Sequence, residues 1–398
     1  MSLSSPAEIK KRLEQNWLTF LKANAAKLSL DRIDGSSPPS VFVGRFGYPK
    51  VRIGPMIPPL HGDTEILDKP ELWAGKSLED IANYRLSLVR GVAAIRVGDT
   101  SGQLVESLQD LAMSETPVDS EATFERQPFR DLELEKEIRL NSEAAPFGPA
   151  APLKQFRLAG SSGSDRRVEQ AFYDTDLRAS DAILQLYRKG VETSRIHKVL
   201  SVGMLGRKKG RKLVPTRWSI TATDDTISKS HVTELEGNPP IDTYEVYEYR
   251  HLSNHYAVVL IPDDVWSFEM IESWFTHDGM AAFGSDYEGP RGLDHYPSIA
   301  GAYFAGKLAV CEHLDLRKRK GAALVLREIQ PEYVMPLGVW QVREGVRGAM
   351  ENQPVPFENL NDAVSHALGR MSISMEEVRR RSKIWENMKT QLRMTEFT

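Results

Sequence analysis

Apolar positions recur at helical spacing near the start of the chain. Ile9, Leu13, Trp17, Phe20 and Leu21 form one stripe, behind Ser5 as a cap, Pro6 at the first helical position and Glu8 completing a capping box. This predicts an amphipathic helix that packs on the main body. Residues 31–62 hold short apolar pieces broken by Gly and Pro, a density that forbids a long helix and predicts short strands and shaped loops. Helical spacing returns over 76–96, through Ile81, Tyr84, Leu88 and Val89, and over 177–191. Residues 145–153 are broken by Pro and Gly, and GSSGSDRR (160–167) is linker-like. From 213 onward LVPTRWSITAT, TYEVYEYR and HYAVVLIP read as strands, the last two joined by a polar turn into a hairpin. A helix near 296–313 and a strand at 322–329 follow. Leu360, Val364, Leu368 and Met371 share a helical face, and a second capping box, Ser374 to Glu377, starts a last helix reaching about residue 389. There is no internal repeat.

Segregated strands and helices predict an α+β fold: a mixed or antiparallel sheet core with flanking helices and a smaller, largely helical C-terminal region. The expected organisation is an N-terminal amphipathic helix (1–30), a main α+β domain (31–330), a C-terminal domain (331–390) and a tail (391–398).

Composition changes the picture mainly by exclusion. Lys and Arg number 51 and Asp and Glu 55, a net charge of −4. That argues against a generic cationic nucleic-acid coat, so any DNA contact must come from local clusters. Cys311 is the only cysteine, which excludes a disulfide framework and a Cys-based zinc module. No run approaches the ~18 apolar residues of a membrane span, and the first residues lack an apolar leader core, so a cytoplasmic protein without a membrane partner is expected. The usual phosphate-loop, dinucleotide and esterase glycine motifs are absent.

Charge is concentrated in one place. From Thr193 to Thr223 there are eight basic residues and no acidic one, centred on Gly206-Arg-Lys-Lys-Gly-Arg-Lys212. Glycines let backbone approach a phosphate and the cations supply counter-charge, so Arg207, Lys208, Lys209, Arg211 and Lys212 are candidate DNA ligands; a solvated hairpin tip is the bland alternative. Arg45 and Lys50 join them, because Gly44-Arg-Phe-Gly-Tyr-Pro-Lys50 interleaves aromatic and basic groups as base stacking with phosphate contact requires. A packed Gly/Pro-shaped loop explains that segment equally well.

Val214-Pro-Thr-Arg-Trp-Ser-Ile-Thr-Ala222 alternates. Read as a strand, it sets Arg217, Ser219 and Thr221 on one face and Trp218, Ile220 and Ala222 on the other, with Asp224 and Asp225 at its end as candidate metal ligands. An amphipathic strand with a turn acid pair is the simpler account. Asp174 and Asp176 are further candidate acids, while Asp119, Glu121, Asp131, Glu133, Glu135 and Lys136 only graze a restriction-nuclease pattern, because position 134 is Leu. Arg217, Ser219, Asp224, Asp225, Asp174 and Asp176 are thus the catalytic candidates, with Mg²⁺ or Mn²⁺ as the metal they suit. His251 and His255 flank the hairpin turn, a placement that does not suit zinc.

The last residues, QLRMTEFT, place Gln391, Met394 and Phe397 at spacing three, on one side of a 3₁₀ turn. This resembles the PCNA-interacting peptide that docks on sliding clamps, with Thr398 where a second aromatic is usual. GRFGYPKVRIGPMIPP (44–59), PVDSE (117–121), PFGPAAP (146–152), LVPTRWSITATDD (213–225) and PLGVWQVRE (336–344), with that tail, resemble the archaeal Nre family of DNA repair proteins. Many members begin with a Cys-rich, zinc-finger-like segment that this chain does not show. The resemblance implies an N-terminal domain, a smaller C-terminal domain and recruitment to PCNA; it brings no catalytic mechanism. The function expected is therefore a clamp-recruited DNA repair factor, with metal-dependent DNA processing as an open question. A nucleotide- or NAD-handling enzyme with a pocket at the VPTRWSITA segment, and a non-catalytic clamp adaptor, are the alternatives.

Overall fold

A computed structural model describes residues 5–24, 31–128, 148–160 and 163–388. The acids at 131–136 and the clamp-like tail with Gln391, Met394 and Phe397 lie outside the described residues. The fold is α+β, built on two mixed six-stranded sheets. The chain divides into two compact units, residues 1–226 with 335–337, and residues 227–334 with 338–398.

The first unit opens with α1 (Pro6–Ala23), whose expected capping box is present: Glu8 N donates to Ser5 Oγ (3.3 Å) and Ser5 N to Glu8 Oε2 (2.8 Å). Leu13 and Trp17 are buried, and α1 packs on the helix α2 (Leu78–Leu86), with Arg12 on Glu79 at 2.6 Å. The strands are β1 (Arg32–Ser37), β2 (Val41–Val43), β3 (Lys50–Ile57), β4 (Val89–Arg96), β5 (Val118–Phe124) and β6 (Ala150–Leu158), in the order β1-β5-β6-β4-β3-β2. In this sheet, among the described residues, only β4 and β6 pair in parallel. The helical reading of 76–96 is correct as far as Leu86; beyond it Val89 to Arg96 is strand β4. Helices α3 (Gln103–Met113), α4 (Arg166–Tyr173), α5 (Ala179–Arg188) and α6 (Thr193–Ser201) complete the unit.

The segment 214–225 is not a strand. It opens α7 (Thr216–Leu235). Pro215 lacks the N–H a sheet would use, and its carbonyl instead accepts from Trp218 N (2.8 Å) and Ser219 N (2.9 Å). Thr221 and Thr226 return their hydroxyls to the carbonyls of Arg217 and Ala222, which satisfies β-branched polar residues within a helix. Buried Ser219, Thr223, Asp224, Ile227 and Ser228 follow helical, not strand, spacing.

In the second unit β7 (Tyr244–His251) and β8 (Asn254–Ile261) form the expected hairpin, with Leu252 and Ser253 both at positive φ in its two-residue turn. With β9 (Ser267–Phe275), β10 (Ala281–Glu288), β11 (Ala322–Ile329) and β12 (Val355–Phe357) they run β10-β9-β11-β8-β7-β12, β9 and β11 being parallel. β8 and β11 are buried along their whole length. Tyr256, Val258 and Leu260 enter one core, with α8 (Gly301–Leu316) and α9 (Trp340–Met350); Ala257, Val259 and Ile261 enter the other, with α10 (Leu360–Leu368) and α11 (Met375–Arg381). A strand apolar on both faces needs helices on both. Residues 338–388 supply part of one layer and all of the other, so the expected boundary near 330 does not divide the chain. The last helix also stops earlier than expected. Ser382 is extended and donates to Glu269 Oε2 (2.5 Å), separating α11 from a helical stretch at 383–388.

Candidate nucleic-acid interface

Three segments of the first unit meet through a ladder of backbone bonds. Val97 N, just after β4, donates to Pro49 O (2.9 Å), and Leu213 N donates to Val97 O (2.8 Å). The loop 44–49, the end of β4 and the basic segment before α7 therefore lie side by side. The start of α7 is fixed to the same place. Val43 N donates to Thr216 Oγ1 (3.0 Å), and Ser201 Oγ donates to Val214 O (2.7 Å).

This framework presents an aromatic group to solvent. Trp218 and Tyr48 lie 5.3 Å apart between ring centroids, tilted by 51°. Their exposures are 45% and 51%, and neighbouring Phe46 reaches 79% with the Arg45 guanidinium 5.0 Å above its ring. The loop is shaped, not slack: Gly47 has φ +85°, and a Cβ there would meet Lys50 O at 2.7 Å.

The surrounding charge is positive. Lys50, Arg52, Arg96, Lys212 and Arg217 are all exposed. Lys50 and Arg96 are register partners in the β3–β4 pair. None of these five forms an ion pair with the described residues. Asp99, in the turn after β4, is exposed, and its N–H donates to Arg96 O (2.9 Å).

The basic cluster of 193–223 has two roles that its composition does not separate. Arg207, Lys208, Lys209 and Lys212 are exposed, three of them at a 3₁₀ turn. Arg211 is tied inward, donating to the carbonyls of Gly206 (2.8 Å), Phe172 (2.6 Å) and Asp174 (3.1 Å) and lying over the Phe172 ring. Arg195 donates to Met113 O and Ser114 O. Lys198 bonds Ser40 Oγ (2.8 Å) and the Asp68 carbonyl (2.7 Å) and pairs with the Asp68 carboxylate (3.1 Å). Burial would raise Asp68, but Lys198 and Arg85 hold it below its ordinary pKa. Three of the eight cations are therefore internal fasteners.

The catalytic candidates do not converge. Arg217 is exposed at the start of α7, and Asp224 is fully buried seven residues on, about 10 Å along the axis. Trp218 is outside and Ser219 inside, the reverse of the strand reading. Thr221 is half-buried. Asp225 follows Asp224 at about 100° around the helix, so the two do not face one site. Asp174 shapes a turn by accepting from Asp176 N (3.2 Å) and Leu177 N (3.0 Å), and Asp176 is exposed. Among the described residues the His/Cys/Asp/Glu group close enough to hold one cation is His231, Glu234 and Asp315, which includes neither Asp224 nor Asp225. In that group Asp315 already takes Lys318 at 2.7 Å and His231 at 2.9 Å.

Residues not singled out from the sequence complete two further arrangements. His61 joins Asp34 (2.7 Å) and Asp119 (3.3 Å), and Asp119 accepts from Ser36 Oγ (2.6 Å). Hydrogen bonds to the Asp34 and Asp119 carboxylates raise the His61 pKa. Arg96 joins the aromatic patch through the β3–β4 register alone, a signal that needed the pairing.

No helix among the described residues is long and apolar enough to cross a membrane. The model of the archaeal Nre N-terminal region matches residues 13–279, and that of the archaeal Nre C-terminal region matches 288–397. The chain is 39% identical over 344 residues to the DNA repair protein NreB of Archaeoglobus fulgidus, covering 85% of each chain. It is 36% identical over 346 residues to NreA of the same organism, with 85% of each covered. To the DNA repair protein NreA of Haloferax volcanii it is 33% identical over 376 residues, covering 91% of this chain and 88% of that one. No solved structure matches. The two family matches span nearly the whole sequence, and the chain belongs to the archaeal Nre family.

Proposed function

We propose that this protein is a DNA repair factor that holds DNA phosphates on the cationic patch of its first unit and is recruited to the PCNA sliding clamp by residues 391–398. The repair role follows its relatives, which carry that name. The observation that supports DNA binding is the exposed set Lys50, Arg52, Arg96, Lys212 and Arg217, gathered without acidic partners in a chain of net charge −4. Like charges brought together at a cost in stability call for an external anion, and DNA is the polyanion a repair factor meets. Arg207, Lys208 and Lys209 extend the phosphate contacts. Clamp recruitment rests on Gln391, Met394 and Phe397 alone.

This reading assigns no catalytic residue. Arg217 and Trp218 are exposed on a helix and do not line a closed nucleotide pocket, which leaves binding ahead of a nucleotide-handling enzyme. Anisotropy with labelled nicked and flapped DNA, with and without Mg²⁺ or Mn²⁺, tests it. Replacing Lys50 and Arg96 by Gln should weaken binding and reduce the salt slope by about 0.7–0.9 per lost contact. An unchanged slope overturns the assignment. Calorimetry with a PCNA ring should lose its signal in Phe397→Ala, and equal affinity would remove the clamp from the proposal.

A further inference from the structure

We infer that Tyr48, Trp218 and Phe46 form a stacking platform for unpaired bases, so that the DNA taken by this site is single-stranded or carries a single-stranded segment. The inference rests on the phosphate-binding reading of the same patch. Three large aromatic side chains are 45–79% open to solvent within one loop and one helix start. They stand in fixed positions. Thr216 holds the helix start to β2, Val97 holds the loop at Pro49, and Lys50 N donates to Gly47 O (2.9 Å) across it. A preorganised ring loses little entropy when a base stacks on it.

The 51° tilt between Tyr48 and Trp218 leaves their faces splayed, so each can receive its own base. The bases of an intact duplex are already stacked and offer only their edges, whereas unpaired bases offer faces of any sequence. The flanking chemistry selects the same ligand. Arg45 and Lys50 share the loop of Phe46 and Tyr48, Arg96 is the register partner of Lys50, Arg217 adjoins Trp218 in the chain, and Lys212 precedes the Leu213 bonded to Val97; this exposed positive charge suits a phosphate backbone running past the stacked bases. An apolar protein partner would instead require those charges to be buried unpaired.

The test uses the full chain with an oligothymidylate and with a duplex of equal length. Wild type should bind the single strand at least ~10-fold more tightly, with quenching of tryptophan fluorescence. Trp218→Ala should lose about 10- to 100-fold for the single strand, while duplex affinity and melting temperature stay the same; Trp218→Phe should keep the affinity and lose most of the quenching. Equal binding of both DNAs, with Trp218→Ala indistinguishable from wild type, overturns the platform. If Lys50→Gln/Arg96→Gln still weakens both DNAs in that case, the phosphate reading stands without it. If neither DNA binds, both readings fall together.

Discussion

Lys50 and Arg96 stand directly opposite each other across the antiparallel β3–β4 pair, both exposed and neither paired with an acid among the described residues. Like charges in that position destabilise a sheet, by about 0.2–1 kcal/mol against a neutral pair. Lys50→Glu converts the repulsion into a cross-strand ion pair. It should raise thermal stability by roughly that amount while weakening DNA binding. A variant that melts lower, or that keeps full DNA affinity, contradicts the role given to this pair.

Thr216 sets the position of Trp218. Its hydroxyl accepts from the backbone N–H of Val43, a buried residue. Thr216→Val should cost about 1–3 kcal/mol, because that donor loses its partner. It should also red-shift and broaden Trp218 emission as the helix start loosens. Chemical denaturation gives the first quantity; difference spectra against Trp218→Phe give the second. Thr216→Ser should restore both, and failure of Ser to do so would show that the hydroxyl is not the cause.

How much of this was legible in sequence differs by element. The α1 capping box, the 244–261 hairpin and the strand at 322–329 were readable because each is set by local chemistry: a cap, a two-residue turn, the apolar run of residues 322–326. The start of α7 was not. Over ten residues, Thr, Ile and Trp favour a strand, and period two fits as well as period 3.6. Only the longer window, Ser219, Thr223, Ile227 and Ser228, separates them. Arg45 and Lys50 were legible as candidate site residues from their aromatic neighbours, whereas Arg96 and Trp218 became candidates only through strand register and helix facing. The eight-to-zero charge count could not tell Lys198, inside an ion pair, from Lys212, outside one.

Glu288 and Lys307 are each about 97% buried and meet at 2.5 Å, with the Trp266 indole N–H also on Glu288. Lys307→Met leaves a carboxylate alone in the core and should cost about 3–5 kcal/mol. Lys307→Met with Glu288→Gln keeps an acceptor for Trp266 and should regain most of the loss. Additive losses in urea denaturation would show that the two residues act separately.

His313 packs edge-on against Tyr247, and burial, with Arg317 nearby, lowers its pKa to about 4. The unfolded chain takes up this proton near pH 6.5, and the folded chain resists it. The stability it contributes is thus present above about pH 6.5 and is lost as the pH falls towards 4. The loss should be on the order of 1–2 kcal/mol, after discounting for partial exposure. His313→Gln should flatten the denaturation midpoint over that window, and an unaltered pH profile would assign the acid sensitivity elsewhere.

Glu269 does more than end a helix. Its carboxylate accepts from Ser382 Oγ, Lys383 N and Ile384 N, and burial, against those bonds, raises its pKa. Ile384 and Trp385 then lie in the core beside β8, with Met388 against its edge. This mooring fixes the point, Met388, from which the chain runs on to Phe397. Phe397 is nine residues beyond Met388, so covalent geometry alone keeps it within about 30 Å of that residue. On the proposed clamp reading, inserting residues between Met388 and Gln391 would extend that covalent reach and leave the sequence of residues 391–398 unaltered.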